Sequence, residues 1–254
     1  MITDTQPRRV IAAVTDIRDT PGGNRLRQLL FGEPVIILQD GVDHQLIEAK
    51  RDGYRGYVPK ADLGPAMAAT HRVTVLATHL YTAPDIRTAD VMSLSFGAKL
   101  TLKEPIGAFC ETQEGFFVPS AHIQPVRRLF SDPAAVADQF LGTPYLWGGN
   151  SRLGIDCSGL VQAACLACGI ACPGDSGDQA TMLGQVLDPA APLQRGDLLF
   201  WKGHVAMAVS ADRMIHATAA YMSVVYEDIA EAIERIQSQG DGPVTARRRL
   251  PPLR

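Results

Sequence analysis

The stretch Asp156-Cys157-Ser158-Gly159-Leu160-Val161 holds the side chain with the most chemical potential in this sequence. Aspartate is a preferred helix N-cap, so Cys157 is expected to open a helix. A cysteine there lies at the positive end of the helix dipole, which favours the nucleophilic thiolate. Such a nucleophile needs a base. Two histidines lie downstream, His204 at the head of one expected strand and His216 at the end of the next. Neighbouring strands run about 4.8 Å apart, so His216 can reach His204 while His204 faces the sulfur. The chemistry would be covalent acyl transfer, with Cys157 attacking, His204 moving the proton and His216 orienting His204. The bland alternative is that Cys157 is a small buried hydrophobe, as most free cysteines are.

The elements that must position these groups are local in the sequence. Asp132 and Pro133 start a helix that is expected to stop near Gly142. A second helix runs from about Asp156 to Cys168, ended by Gly169, and a third runs from the cap Asp228 to Gln239, ended by Gly240. Val205–Val209 and Arg213–His216 read as strands between them. The first half differs. It shows short apolar runs punctuated by Gly, Pro and Asp, the pattern of many short strands. It also holds a faint repeat. Asp16–Pro21, Leu29–Glu33 and Gly56–Leu63 can be laid on His79–Pro84, Leu94–Ala98 and Phe116–Ile123, at offsets of 63, 65 and 60 residues.

Composition limits the function classes. The chain has 254 residues, with 24 Lys+Arg against 27 Asp+Glu, and this near-balance gives no electrostatic footprint for nucleic acid. Hydrophobic residues at 46% and charged residues at 20% argue against a disordered chain. No run approaches the ~18 apolar residues of a membrane span. The five cysteines cannot all pair within one chain, so free thiols are expected. Met1–Val10 lacks the apolar centre of a signal peptide. This points to the cytoplasm, or to the cell envelope if an export signal has been removed.

Five motifs in order, Thr143–Gly149, Gly154–Gln162, Leu193–Phe200, Gly203–Met207 and Met214–Ala217, closely resemble the NlpC/P60 family of cysteine peptidases. The first half resembles a pair of bacterial SH3-like domains. The resemblance implies an α+β, papain-like catalytic domain over 129–254, preceded by two small all-β SH3-like barrels over 1–67 and 68–128. It implies a cysteine endopeptidase cleaving the bond between γ-D-glutamate and the following diamino acid in peptidoglycan stem peptides. The nucleophile falls on Cys157, the base on His204 and the third polar residue on His216. The layout is similar to enzymes of murein-peptide recycling that hold a free N-terminal L-Ala amine. By that resemblance the substrate-binding residues are Tyr145, Asp156, Ser158 and Ser176, with Gly174 standing where the family has arginine. Glu33 and Tyr54 of the first barrel are further candidates to close the amine pocket, with Tyr57 the alternative to Tyr54. An ammonium confined by carboxylates fits this selectivity, because a capped amine would leave them unpaired. Two other readings are an exported hydrolase of intact peptidoglycan and a wall-peptide binding module without catalysis.

Asp156 has a second reading as a helix cap alone, and Tyr145 one as packing over the helix instead of an oxyanion donor. No cofactor is expected, since a thiolate is its own nucleophile. Cys165, Cys168 and Cys172 follow helical spacing and read as a core-facing stripe instead of metal ligands. Arg247-Arg248-Arg249 reads as a solvated tail or edge strand.

Overall fold

In the computed structural model, residues 6–253 are described. The absence of an export signal was read partly from residues 1–5, which lie outside them. The chain divides after Arg128 into two compact units.

The first unit is made of strands. Residues 7–65 form a seven-stranded antiparallel sheet around Val10, Ile17, Leu29, Val35, Ile47 and Val58. Residues 71–125 form a five-stranded and a three-stranded sheet around a second cluster that includes Leu80, Leu94, Leu100 and Val118. The repeat in sequence is a repeat in structure. Gly32 and Gly97, which follow the strands Arg25–Leu30 and Asp90–Ser95, both take left-handed backbone, with φ of 77° and 86°. The strands Arg55–Pro59 and Phe117–Pro119 each run into one 3-10 turn, Lys60–Asp62 and Ser120–His122, and then into the short strands Leu63–Pro65 and Ile123–Pro125. Leu30 and Phe31 of the first copy are buried in the second cluster.

The second unit is a six-stranded antiparallel sheet with helices on it. The strand order is Gln185–Val186, Ala246–Arg249, Leu198–Trp201, His204–Ala208, Arg213–Thr218 and Ser223–Asp228. Helix α1 is Pro133–Asp138, α2 is Cys157–Ala167, α3 is Ser176–Met182 and α4 is Ile229–Ser238. Helix α2 packs on the strands His204–Ala208 and Arg213–Thr218 and is buried along most of its length, which explains its apolar composition. Helix α4 is amphipathic. Its Ile229, Ala232 and Ile236 join Leu199, Trp201, Ala206, Ala208 and Met214 in one cluster. The central strands are covered in this way and read as apolar runs without alternation.

Asp132, Asp156 and Asp228 cap α1, α2 and α4 with their side chains. Gly169, at φ 78°, ends α2 in a Schellman motif, with Ile170 N–H on the Cys165 carbonyl and Gly169 N–H on that of Leu166. Three sequence expectations are corrected. Helix α1 ends at Asp138 and turns, not helix, carry the chain on to Gly142. Cys172 lies beyond Gly169, so it is not on the helical stripe of Cys165. Residues 247–249 are neither tail nor edge but belong to an interior strand paired on both sides.

Candidate active site

Cys157 is the first residue of α2 and is buried. Its cap, Asp156, accepts the Gly159 N–H at 2.6 Å and the Ser158 hydroxyl at 3.1 Å on Oδ1, and the Gly148 N–H at 2.9 Å on Oδ2. The Cys157 Sγ lies 3.9 Å from the Gly203 carbonyl oxygen. Gly203, at φ 77°, belongs to the two-residue turn that pairs Trp201 with His204. The turn therefore brings the His204 backbone next to the sulfur.

Sheet register sets the histidines. Met207 pairs with Ile215, which puts Ala206 opposite His216 and leaves His204 one pleat away on the same face. Across that diagonal, His204 Nε2 and His216 Nδ1 are 2.9 Å apart. His216 pairs with Val225, so Glu227 is the next diagonal neighbour, and His216 Nε2 is 3.0 Å from Glu227 Oε2. Arg235 of α4 closes the row, with Nε donating to Oε1 at 2.8 Å and Nη2 to Oε2 at 2.7 Å. His216 and Glu227 are buried. Burial, then the neighbouring His216 and Arg235, push the His204 pKa from 6.5 down to about 3 against the pull of Glu227. Burial opposes ionisation of Glu227, but hydrogen bonds from Arg235 and His216 prevail and bring it down to about 2. The Trp201 ring lies 5.6 Å from that of His204. Above pH 6.5 His204 is thus a neutral imidazole, with the Glu227 carboxylate at the far end of the row.

Tyr145 is half-buried, and its N–H donates to the Met222 carbonyl at 2.9 Å. Burial and the nearby charges of Cys157 and Asp156 raise its pKa, so the phenol keeps its proton and can donate a hydrogen bond to a developing oxyanion. Ser176 begins α3, and Gly174 is buried just before it. Gln179 of α3, fully buried, donates to the carbonyls of Ser158 and Pro173, each at 2.9 Å, and so ties α3 to the start of α2.

Glu33 and Tyr54 are engaged inside the first unit. Glu33 is buried and accepts from Arg51 Nη1 and from the Leu30 N–H, each at 2.9 Å. Tyr54 packs beside the first apolar cluster, with its N–H on Asp52 Oδ1 at 3.0 Å. Cys165, Cys168 and Cys172 are buried, and the Cys165 thiol is pushed up by a hydrogen bond with Cys172 and by burial. Among the described residues no three His, Cys, Asp or Glu side chains gather as a metal site. No helix among them is long and apolar enough to cross a membrane.

Glu227, Arg235 and Gln179 were not singled out from the sequence. The available signal for Glu227 was its position before the cap Asp228, at the end of a strand neighbouring that of His216.

The sequence pattern of the NlpC/P60 family matches residues 142–237, and that of the bacterial dipeptidyl-peptidase SH3 domain matches residues 17–63. The chain is 30% identical over 231 residues to the gamma-D-glutamyl-L-lysine dipeptidyl-peptidase of Bacillus subtilis, covering 81% of this chain and 76% of that protein. A protein of the same name from Bacillus cereus is 36% identical over 136 residues, which span 50% of this chain and only 38% of that relative. Dipeptidyl-peptidase 6 of Lysinibacillus sphaericus is 28% identical over 217 residues, 75% of this chain and 79% of that one. The fold resembles the solved structure of an NlpC/P60 family protein from Bacillus cereus, with a TM-score of 0.78, 21% identity and coverage of 97% of this chain and 100% of that one. With an alignment spanning most of both chains and the family's pattern lying over Cys157, His204 and His216, the chain belongs to the NlpC/P60 family of peptidases.

Proposed function

We propose that this protein is a cysteine endopeptidase that hydrolyses the γ-D-Glu–diamino acid bond of peptidoglycan stem peptides, with preference for a free N-terminal L-Ala, as murein-peptide recycling would require. The observation that carries this reading is Cys157 at the start of α2, 3.9 Å from the turn that launches His204, with His204 backed by His216 at 2.9 Å. The names of the Bacillus relatives support the bond type.

In this reading the Cys157 sulfur attacks the γ-carbonyl carbon of D-glutamate, with its proton passing to His204. Tyr145 donates to the oxygen as charge develops on it. The C–N bond breaks as His204 returns the proton to the leaving amine of the diamino acid. Water then attacks the thioester carbon, giving a proton to His204, and the sulfur leaves. The substrate ammonium is taken by Asp156, with Ser158 and Ser176 as hydroxyl partners. A buried carboxylate offered to an ammonium discriminates strongly against an acetylated amine.

The test is mass spectrometry on L-Ala-γ-D-Glu-meso-diaminopimelate beside its N-acetylated form, with Cys157→Ala as control. Release of L-Ala-D-Glu from the free peptide alone, lost in the variant, is the expected result. Equal cleavage of both forms removes the amine preference and favours a hydrolase of intact wall. Binding without turnover makes the protein a recognition module. Glu33→Gln and Tyr54→Phe in the same assay test the two residues of the first unit.

A further inference from the structure

The contact between His204 and His216 does not by itself say which nitrogen carries each proton, and only one arrangement makes His204 a base towards sulfur. A neutral imidazole has one donor and one acceptor nitrogen. His204 uses Nε2 towards His216, so Nδ1 is the nitrogen left for the thiol. It can accept a proton only if Nε2 already holds one. His216 must then offer a lone pair at Nδ1 and carry its own proton on Nε2. That proton needs an acceptor, and the atom 3.0 Å away is Glu227 Oε2. A carboxylate accepts and cannot donate, and the fork of Arg235 at 2.8 and 2.7 Å keeps Glu227 in that form. The buried His216 is faced by His204 from one neighbouring strand and Glu227 from the other, with Arg235 of α4 behind Glu227.

We propose that Glu227, held as a carboxylate by Arg235, is a positioning residue that fixes proton placement through His216 and thereby makes Nδ1 of His204 the proton acceptor for Cys157. This rests on the reading of Cys157 and His204 as nucleophile and base. Loss of the acceptor at position 227 would invert the row. His216 would carry its proton on Nδ1 and give it to His204 Nε2, and His204 would then point an N–H at the sulfur.

The experiment uses the full chain labelled with 15N-histidine and needs no peptide substrate. Long-range proton–nitrogen NMR at pH 7.5 reads which nitrogen is protonated in each ring. Iodoacetamide labelling, resolved by mass spectrometry at Cys157, reads the reactivity of the thiol. In the unaltered chain both rings are expected to be protonated on Nε2. Glu227→Met, which removes the acceptor, should move both protons to Nδ1 and slow alkylation at neutral pH about tenfold or more, within the limit set by the few per cent thiolate of a free cysteine. Glu227→Asp should restore Nε2 protonation, which a purely structural role would not require. Arg235→Met provides a second route. It removes the fork that keeps Glu227 an acceptor, so at pH 7.5 it should weaken the Nε2 preference of both rings relative to the unaltered chain. Nδ1 protonation in the unaltered chain, or unchanged proton placement in Glu227→Met, overturns the proposal. If wild-type Cys157 proves unreactive while the NMR result holds, the nucleophile assignment fails and the proton-placement inference stands.

Discussion

Asp156 and Gly148 are joined at 2.9 Å, carboxylate Oδ2 to backbone N–H, by the same side chain that caps α2 through its other oxygen. The loop that carries Tyr145 is therefore tied to the helix that carries Cys157. Asp156→Asn puts an amide N–H₂ where an acceptor is needed, so one of these bonds must break. A loss of about 1–2 kcal/mol in urea unfolding is expected. If Asp156 also receives the substrate amine, KM for the free peptide rises while that for the acetylated peptide stays put. An equal change in both would leave Asp156 as a cap alone.

Tyr145 offers a cleaner separation of packing from chemistry. Tyr145→Phe keeps the ring and removes the donor. Loss of an oxyanion donor lowers kcat by roughly 10²–10³-fold. Stopped assays at saturating peptide should show this drop with KM little changed. A fall in thermal stability with kcat intact would show that the ring only packs.

Arg51, Glu33 and Asp52 form a buried charge group in the first unit, with side-chain exposures of 5%, 7% and 1%. Arg51→Met leaves two carboxylates buried without their shared cation. Removing one partner from such a group destabilises by roughly 3–5 kcal/mol. Urea unfolding of the full chain should show an early transition confined to this unit, visible as loss of sheet signal before the second unit opens.

Acid should weaken the second unit in two stages. His204 drops from 6.5 to about 3 on folding, so the unfolded chain binds the extra proton and stability falls as pH drops from 6.5 towards 3. Glu227 drops from 4.5 to about 2, so its contribution is present above pH 4.5 and is lost between there and 2. Both act in the same direction. Melting temperatures measured between pH 7.5 and 3.5 should hold level down to about pH 6.5 and decline below it, and His204→Asn should flatten the part above pH 4.5. An undiminished slope in that variant would place the acid sensitivity elsewhere.

The sequence was most legible where a signal is local. Asp132, Asp156 and Asp228 announce helix starts because a cap acts within three residues, and Gly169 and Gly240 announce ends for the same reason. His204 and His216 fall on neighbouring strands because a tight turn and a short hairpin leave little choice. Glu227 and Arg235 were not legible, since their meeting with His216 depends on sheet register and on the face that α4 turns inward. The arginine run was misread because its charges suggest solvent. In the structure Arg249 grips Asp197 through bonds of 2.9 and 2.8 Å and Arg248 donates to the Ala180 carbonyl at 2.7 Å, so the heads are satisfied while the backbone pairs on both sides. Cys172 slipped off its expected stripe because Gly169 ends the helix first.

The row of side chains behind the sulfur is built from near neighbours: His204 to His216 spans 12 residues, His216 to Glu227 spans 11 and Glu227 to Arg235 spans 8. Cys157 reaches Gly203 across 46. Closing a short loop loses less chain entropy than closing a long one, and hairpins form on the scale of about 1–10 μs. The imidazoles can therefore assemble as a local module, while docking of α2 is the long-range event. The base and its supports are thus drawn from one short stretch of chain, and they meet the thiol only through the docking of α2 on the sheet.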